Sequence, residues 1–189
     1  MALPLRSVVR RLQLREVPGT QARKQLMKTI LDACCGPRMF WFDKKDERCL
    51  YVDNRSEDHV VTDQSHGKAW GKRSFSVHPD VLASFEALPF PDDVFPLVVF
   101  DPPHINHGGH GFMVKKYGLL GDDWRDVLKH GFTECFRVLR PLGTLVFKWS
   151  ECDIPVREVL TLTTARPLFG QRCGAKALTH WLVFQKRLP

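Results

Sequence analysis

At 189 residues, 43% hydrophobic and 26% charged, the chain has the size and composition of one ordinary globular domain with a sizeable core. No apolar run approaches the roughly 20 residues of a membrane-spanning helix, so none is expected. Arg6, Arg10, Arg11, Arg15, Arg23, Lys24 and Lys28 face Glu16 alone, which places +6 of the net charge of +7 in the first 28 residues.

In chain order, residues 1–26 read as a basic N-terminal arm or extension, closed off by Pro18-Gly19. Such an arm suits a nucleic-acid partner and equally a solvated tail. Its Arg-rich, acid-poor start is compatible with a transit peptide but lacks the long apolar centre of a secretory signal. Residues 27–189 read as one domain. Thr29-Ile30-Leu31 is a buried strand leading into Asp32 and the turn Cys34-Cys35-Gly36-Pro37. Met39 to Lys45 has room for a short helix only. Cys49 to Val52 is a second strand that ends at Asp53, and the polar stretch from Glu57 to His78 is expected to be a loop that orders on ligand binding. Val81-Leu82-Ala83 is a third strand, and Leu97 to Phe100 a fourth that ends in Asp101-Pro102-Pro103-His104.

Gly108, Gly109, Gly111 and Gly118 mark 105–118 as a mobile loop. The spacing of Trp124, Val127, Leu128, Phe132, Phe136 and Leu139 predicts a helix over 122–139, stopped by Pro141 and Gly143. Thr144 to Phe147 is a strand, Val156 to Leu162 a short helix, and His180 to Gln185 the last strand. This alternation predicts an α/β domain with an open, mostly parallel sheet covered on both faces. The six cysteines show no paired spacing and read as reduced thiols, which fits a cytoplasmic protein.

In such sheets ligands bind at the carboxyl ends of the strands. Asp32, Asp53 and Asp101 all fall there. A carboxylate ending the second strand is placed to accept hydrogen bonds from ribose hydroxyls. The Asp101–His104 turn is stiff and rich in acceptor carbonyls, because each proline fixes φ and lacks an N–H. A flat amino-bearing group can donate to the Asp101 carboxylate and a proline carbonyl while His104 offers a ring to stack on. His104, His107 and His110 have poor spacing for a metal site, and none is expected. Cys34 and Cys35 read as small packing residues of the turn, not nucleophiles.

Several segments together resemble class I S-adenosylmethionine-dependent methyltransferases, in particular the small enzymes of phage and prophage genomes. They are Ile30 to Gly36, Arg38 to Asp43, Leu88-Pro89-Phe90, Asp101 to His104, Phe147-Lys148-Trp149 and Thr179-His180-Trp181. The resemblance implies a Rossmann-like fold with a doubly wound sheet and an antiparallel C-terminal strand. It also implies S-adenosyl-L-methionine as methyl donor. The Asp32-Ala33-Cys34 turn and Gly36 would then hold the methionine part and Asp53 the ribose. Ser84, with Phe85 beside it, stands where relatives often place an aspartate that binds the adenine. Cys34 and Arg38 occupy positions where many relatives have glycine, and Pro37 one where the phage type often has serine.

The Asp101-Pro102-Pro103-His104 turn is similar to the motif of enzymes that methylate exocyclic amines of bases. Asp101 and the Pro102 carbonyl would orient the amine, His104 would take the stacking position, and Lys148 and Trp149 would line the acceptor cleft. Adenine N6 in DNA or RNA is the leading expectation. The alternatives are an inactive Rossmann-like module that binds nucleic acid or cofactor, and a methyltransferase acting on a protein amide or a small amine.

Overall fold

The computed structural model describes residues 28–63, 71–108, 111–174 and 178–188, so the basic arm and His110 lie outside the described residues. In chain order the strands are β1 (Ile30–Asp32), β2 (Cys49–Asp53), β3 (Glu57–Asp63), β4 (Gly71–Val77), β5 (Val81–Leu82), β6 (Phe95–Phe100), β7 (Leu139–Ser150), β8 (Phe169–Cys173) and β9 (Thr179–Gln185). The helices are α1 (Phe112–Tyr117), α2 (Trp124–Val138) and α3 (Val156–Val159), the last continued by a 3-10 turn over Leu160–Leu162.

One seven-stranded sheet has the order β5-β2-β1-β6-β7-β9-β8. The pairs β5–β2, β2–β1, β1–β6 and β6–β7 are parallel, and β9 runs antiparallel to both neighbours. Every residue of β2 is buried, as a strand with neighbours on both sides and cover on both faces requires. The order reverses between β1 and β6, so their carboxyl ends, Asp32 and Asp101, flank the crevice where open α/β sheets bind ligands.

Helix α2 buries one stripe, Trp124, Leu128, Gly131, Phe132, Cys135 and Val138, against β6 and β7. Gly131 is required there: a Cβ would meet the Phe100 ring at 2.6 Å and the Phe85 ring at 2.8 Å. The connection from β5 to β6 is irregular and is stitched to α2 by two charged residues. Arg137 donates to the carbonyls of Leu88 (2.9 Å) and Phe90 (2.8 Å), and Glu134 accepts from the Leu88 N–H (2.8 Å). Ser84 lies at the start of that connection, with its hydroxyl accepting from the Glu86 N–H at 3.2 Å and its carbonyl from the Ala87 N–H at 3.1 Å.

Several expectations need correction. The stretch from Glu57 to His78 is not a loop. Most of it forms an antiparallel ribbon, β3–β4, with His59 opposite Phe75 and their rings 4.9 Å apart. Along β3, half-buried Glu57, His59 and Val61 alternate with exposed Asp58 and Val60, so no apolar run marks the strand. Residues 39–45 form turns, not a helix, because Arg38 sits at φ 55° and Trp41 turns back onto the sheet. Within the expected loop 105–118, residues 112–117 are helical as α1.

Pro141 and Gly143 do not separate α2 from the next strand: the chain enters β7 directly at Leu139. They lie between the paired positions Leu139 and Thr144, where the ladder to β6 is irregular and no N–H from Pro141 is needed. Strand β8 had no apolar signal, since four of its five residues are exposed at the sheet edge. Helical cover is also one-sided among the described residues. Helices α2 and α3 pack on the face of Leu31, Val98, Leu145 and Phe147. Over β1 and β2 the opposite face is covered by the 33–48 turns, through Trp41 edge-on to Tyr51 at 5.3 Å.

Candidate active site

The carboxyl ends of β1, β2, β6 and β7 open into a cavity of about 500 Å³, within the range of small-ligand sites. Ala33, Cys34, Gly36, Asp53, Phe85, Asp101 and Pro103 are in its walls, together with Phe40, Arg55, Glu86, Lys116, Tyr117, Gly118 and Lys148. Asp32, Ser84, Pro102 and His104 are not in its walls, though each is next in sequence to a residue that is.

Asp32 is fully buried. Its carboxylate accepts from the Trp41 indole N–H at 2.7 Å and, at 3.4 Å, from the Cys34 N–H. Burial pushes this carboxyl up to about 7, against the pull of the Trp41 bond. Its place is therefore beneath the turn, fixing the path of the backbone toward Gly36. Gly36 takes φ 47°, a conformation that favours glycine, and donates its N–H to Asp53 Oδ2 at 2.8 Å. The other Asp53 oxygen accepts from the Arg55 backbone N–H (3.0 Å) and Nε (3.1 Å). Arg55 also donates to the Lys115 carbonyl at 3.0 Å, which ties β2 to α1 across the mouth of the cavity.

Asp101 follows β6 and is held by Lys148 at the end of β7, with Nζ 2.7 Å from Oδ2. Burial raises the Asp101 carboxyl, and the Lys148 cation and its hydrogen bond oppose that rise. Among the described residues Oδ1 has no hydrogen-bond donor. Lys148 Nζ also lies 5.8 Å from the ring centroids of both Phe40 and Trp181. The turn that follows is clamped from above, since a Cβ on Gly118 would stand 3.0 Å from Pro103 Cγ. The His104 ring lies 5.8 Å from that of Tyr117 and 6.5 Å from that of Trp149. Burial lowers its basicity, so it presents a neutral ring.

No protein-family profile and no curated protein sequence matches the chain. Among solved structures it is similar to the PH0226 protein of Pyrococcus horikoshii OT3, with TM-score 0.49 and 16% identity over 84% of this chain and 81% of that one. It is also similar to the 1,6-didemethyltoxoflavin-N1-methyltransferase of Burkholderia thailandensis, solved with S-adenosylhomocysteine, at TM-score 0.48, 15% identity, and 89% and 78% of the two chains. A third is the antibiotic-resistance methyltransferase Kmr, at TM-score 0.46, 15% identity, and 90% and 95% coverage. The fold is decided by its own strand order and its single reversed strand. It is the Rossmann-like class I methyltransferase fold.

Several wall residues carried no sequence signal of their own. Arg55 and Lys116 are surface-type cations until the β2–α1 bridge brings them together. Tyr117 and Gly118 fell inside a segment expected to be a loop. Phe40 belonged to an expected helix, and its position comes from the edge-on contact with Trp181 at 5.5 Å. The thiol alternative finds no support in the site. Burial pushes Cys35 up to about 12 and raises Cys34 well above its usual value, which keeps both protonated and unreactive.

Proposed function

We propose that this chain is an S-adenosylmethionine-dependent N-methyltransferase whose acceptor is an exocyclic amine of a nucleic-acid base, with adenine N6 foremost. The observation that carries the reading is the Asp101 carboxylate, held by Lys148 on one oxygen and open on the other, at the edge of the cavity that Gly36 and Asp53 also line.

The residues fit the methyl donor. Gly36 leaves room where a side chain would intrude, its nearest neighbours lying 4.0 Å from an added Cβ. Asp53 would receive the ribose hydroxyls once Arg55 yields part of its hold. Phe85 and Ser84 would flank the adenine, while Ala33, Cys34 and Gly36 would line the methionine part. When bound, the donor supplies a methyl group on a sulfonium that leaves as a thioether.

An amine conjugated to a base is a poor nucleophile, because its lone pair is delocalised into the ring. The protein's part is to hold that amine in line and draw its lone pair toward the methyl group. Asp101 Oδ1 would accept one amine hydrogen and the Pro102 carbonyl the other, while the neutral His104 ring stacks on the base. Lys148 opposes the rise that burial gives the Asp101 carboxyl, which favours its ionised form. After transfer the amine sheds one proton, and Asp101 Oδ1 is the acceptor in contact with it. A base can reach this depth only from a single strand or after leaving its stack.

Asp101→Ala tests the assignment. The expected outcome is loss of methyl transfer with S-adenosylhomocysteine binding kept within about twofold by calorimetry, since Asp101 faces the acceptor. Loss of cofactor binding together with activity would overturn the assignment of Asp101 to the acceptor side.

A further inference from the structure

Two segments that line the cavity, the turns through Pro37, Met39 and Phe40 and helix α1 through Lys116 and Tyr117, continue outward with similar chemistry. On one side the turns from Pro37 to Arg48 present Met39 about half exposed and Phe42 fully exposed, followed by exposed Lys44 and Lys45. On the other, α1 presents Met113, half exposed, with Lys115 and Lys116. The walls meet at Gly36, whose added Cβ would lie 4.0 Å from the Lys116 carbonyl oxygen. Lys44, Lys45 and Lys115 have no carboxylate partner among the described residues. Lys116 Nζ lies 5.0 Å from the Tyr117 ring centroid.

Phe42 is held outward. Arg38 donates to the Lys44 carbonyl at 2.6 Å and to the His78 carbonyl at 2.7 Å, and its guanidinium lies 3.7 Å from the Tyr51 ring centroid. Trp41 is tied to Asp32. Phe42 thus lies between two anchored points, Trp41 on Asp32 and the Lys44 carbonyl on Arg38, and its side chain is fully exposed. Of the acids in the segment, Asp46 pairs with Arg48 at 2.6 Å, while Asp43, which accepts from the Lys45 N–H at 2.8 Å, and Glu47 are exposed.

We infer that these two walls grip a single strand of nucleic acid across the mouth of the cavity. Phe42 and Met39 stack against bases flanking the target, and Lys44, Lys45, Lys115 and Lys116 meet the phosphates. Aromatic faces interleaved with lysines are the chemistry of strand binding without base-edge readout. The inference rests on the proposed acceptor and extends it from one base to the strand that carries it.

The test measures anisotropy of short fluorescein-labelled RNA and DNA single strands, and of the matching duplexes, with no methyl donor present. Wild type is expected to bind single strands more tightly than duplexes. Phe42→Ala should weaken single-strand binding about tenfold. Replacing Lys44 and Lys45 together by glutamine should lower the salt slope by about 1.4. Both variants should bind S-adenosylhomocysteine as wild type does, because none of the three residues lines the cavity. Wild-type binding unchanged by either variant would overturn the grip and leave the methyltransferase reading standing. Absence of nucleic-acid binding by wild type would overturn the grip and the acceptor class together. Phe42-dependent sedimentation with phosphatidylserine vesicles in place of strand binding would replace the grip by a membrane contact.

Discussion

In the proposed acceptor site, charge is governed by the Asp101–Lys148 pair. Burial raises the carboxyl and the ammonium group restrains it, so removing the cation releases the rise. Lys148→Met is therefore expected to move the acid limb of the activity profile to higher pH, because Asp101 then holds its proton longer. A pH–rate series at saturating substrate reads this directly, and an unmoved acid limb would show that Asp101 does not control the rate. Asp53 and Asp101 were legible in the sequence because each follows an apolar run that could only be a strand. The role of Asp32 was less so. Its partner Trp41 lies nine residues on, in a segment whose turns follow from tertiary contacts and from no local propensity.

Among the elements, α2 carries the most structural consequence, since it presses one stripe on β6 and β7 and braces the β5–β6 connection. Its apolar spacing was plain in the sequence, and the helix lies where that spacing put it. Gly131 was not distinguished there from any other helical glycine. Its need becomes clear only when Phe100 and Phe85 are seen against it. Gly131→Ala should destabilise the fold by about 1–3 kcal/mol despite the better helix propensity of alanine, because the added methyl has no room. Urea unfolding measures this, and a neutral or stabilising result would mean that the Phe85 and Phe100 rings shift freely. The β3–β4 ribbon and β8 were missed for one physical reason. Both are exposed, and exposed strands lack the apolar runs that mark buried ones.

For the whole molecule, a buried carboxyl makes stability depend on pH. The Asp32 carboxyl is raised to about 7 in the folded chain from 3.8, so between those values only the folded state keeps the proton. Its contribution is fully favourable below about pH 4 and is lost as the pH rises toward 7, by at most about 1.4 kcal/mol per pH unit. Asp32→Asn removes this dependence. Unfolding free energies from pH 5 to 7.5 should therefore favour wild type over the variant progressively as the pH falls, and a constant difference would show that Asp32 titrates normally. The mostly parallel sheet was foreseeable from strand–helix alternation and its antiparallel last strand from family resemblance, whereas the strand order emerges only from the structure. The lack of helical cover on one face among the described residues was not foreseeable, since the turns and ribbon that replace helices there are set by long-range contacts.

Methyl transfer to an exocyclic base amine is read out by identifying the methylated nucleoside. Wild type and Asp101→Ala would each be incubated with methyl-labelled S-adenosylmethionine and either total RNA or unmodified DNA, then digested for mass spectrometry. Labelled N6-methyladenine is expected from one of the two pools with wild type and none with the variant. Label on a carbon or oxygen position, or equal label with Asp101→Ala, would contradict this reading.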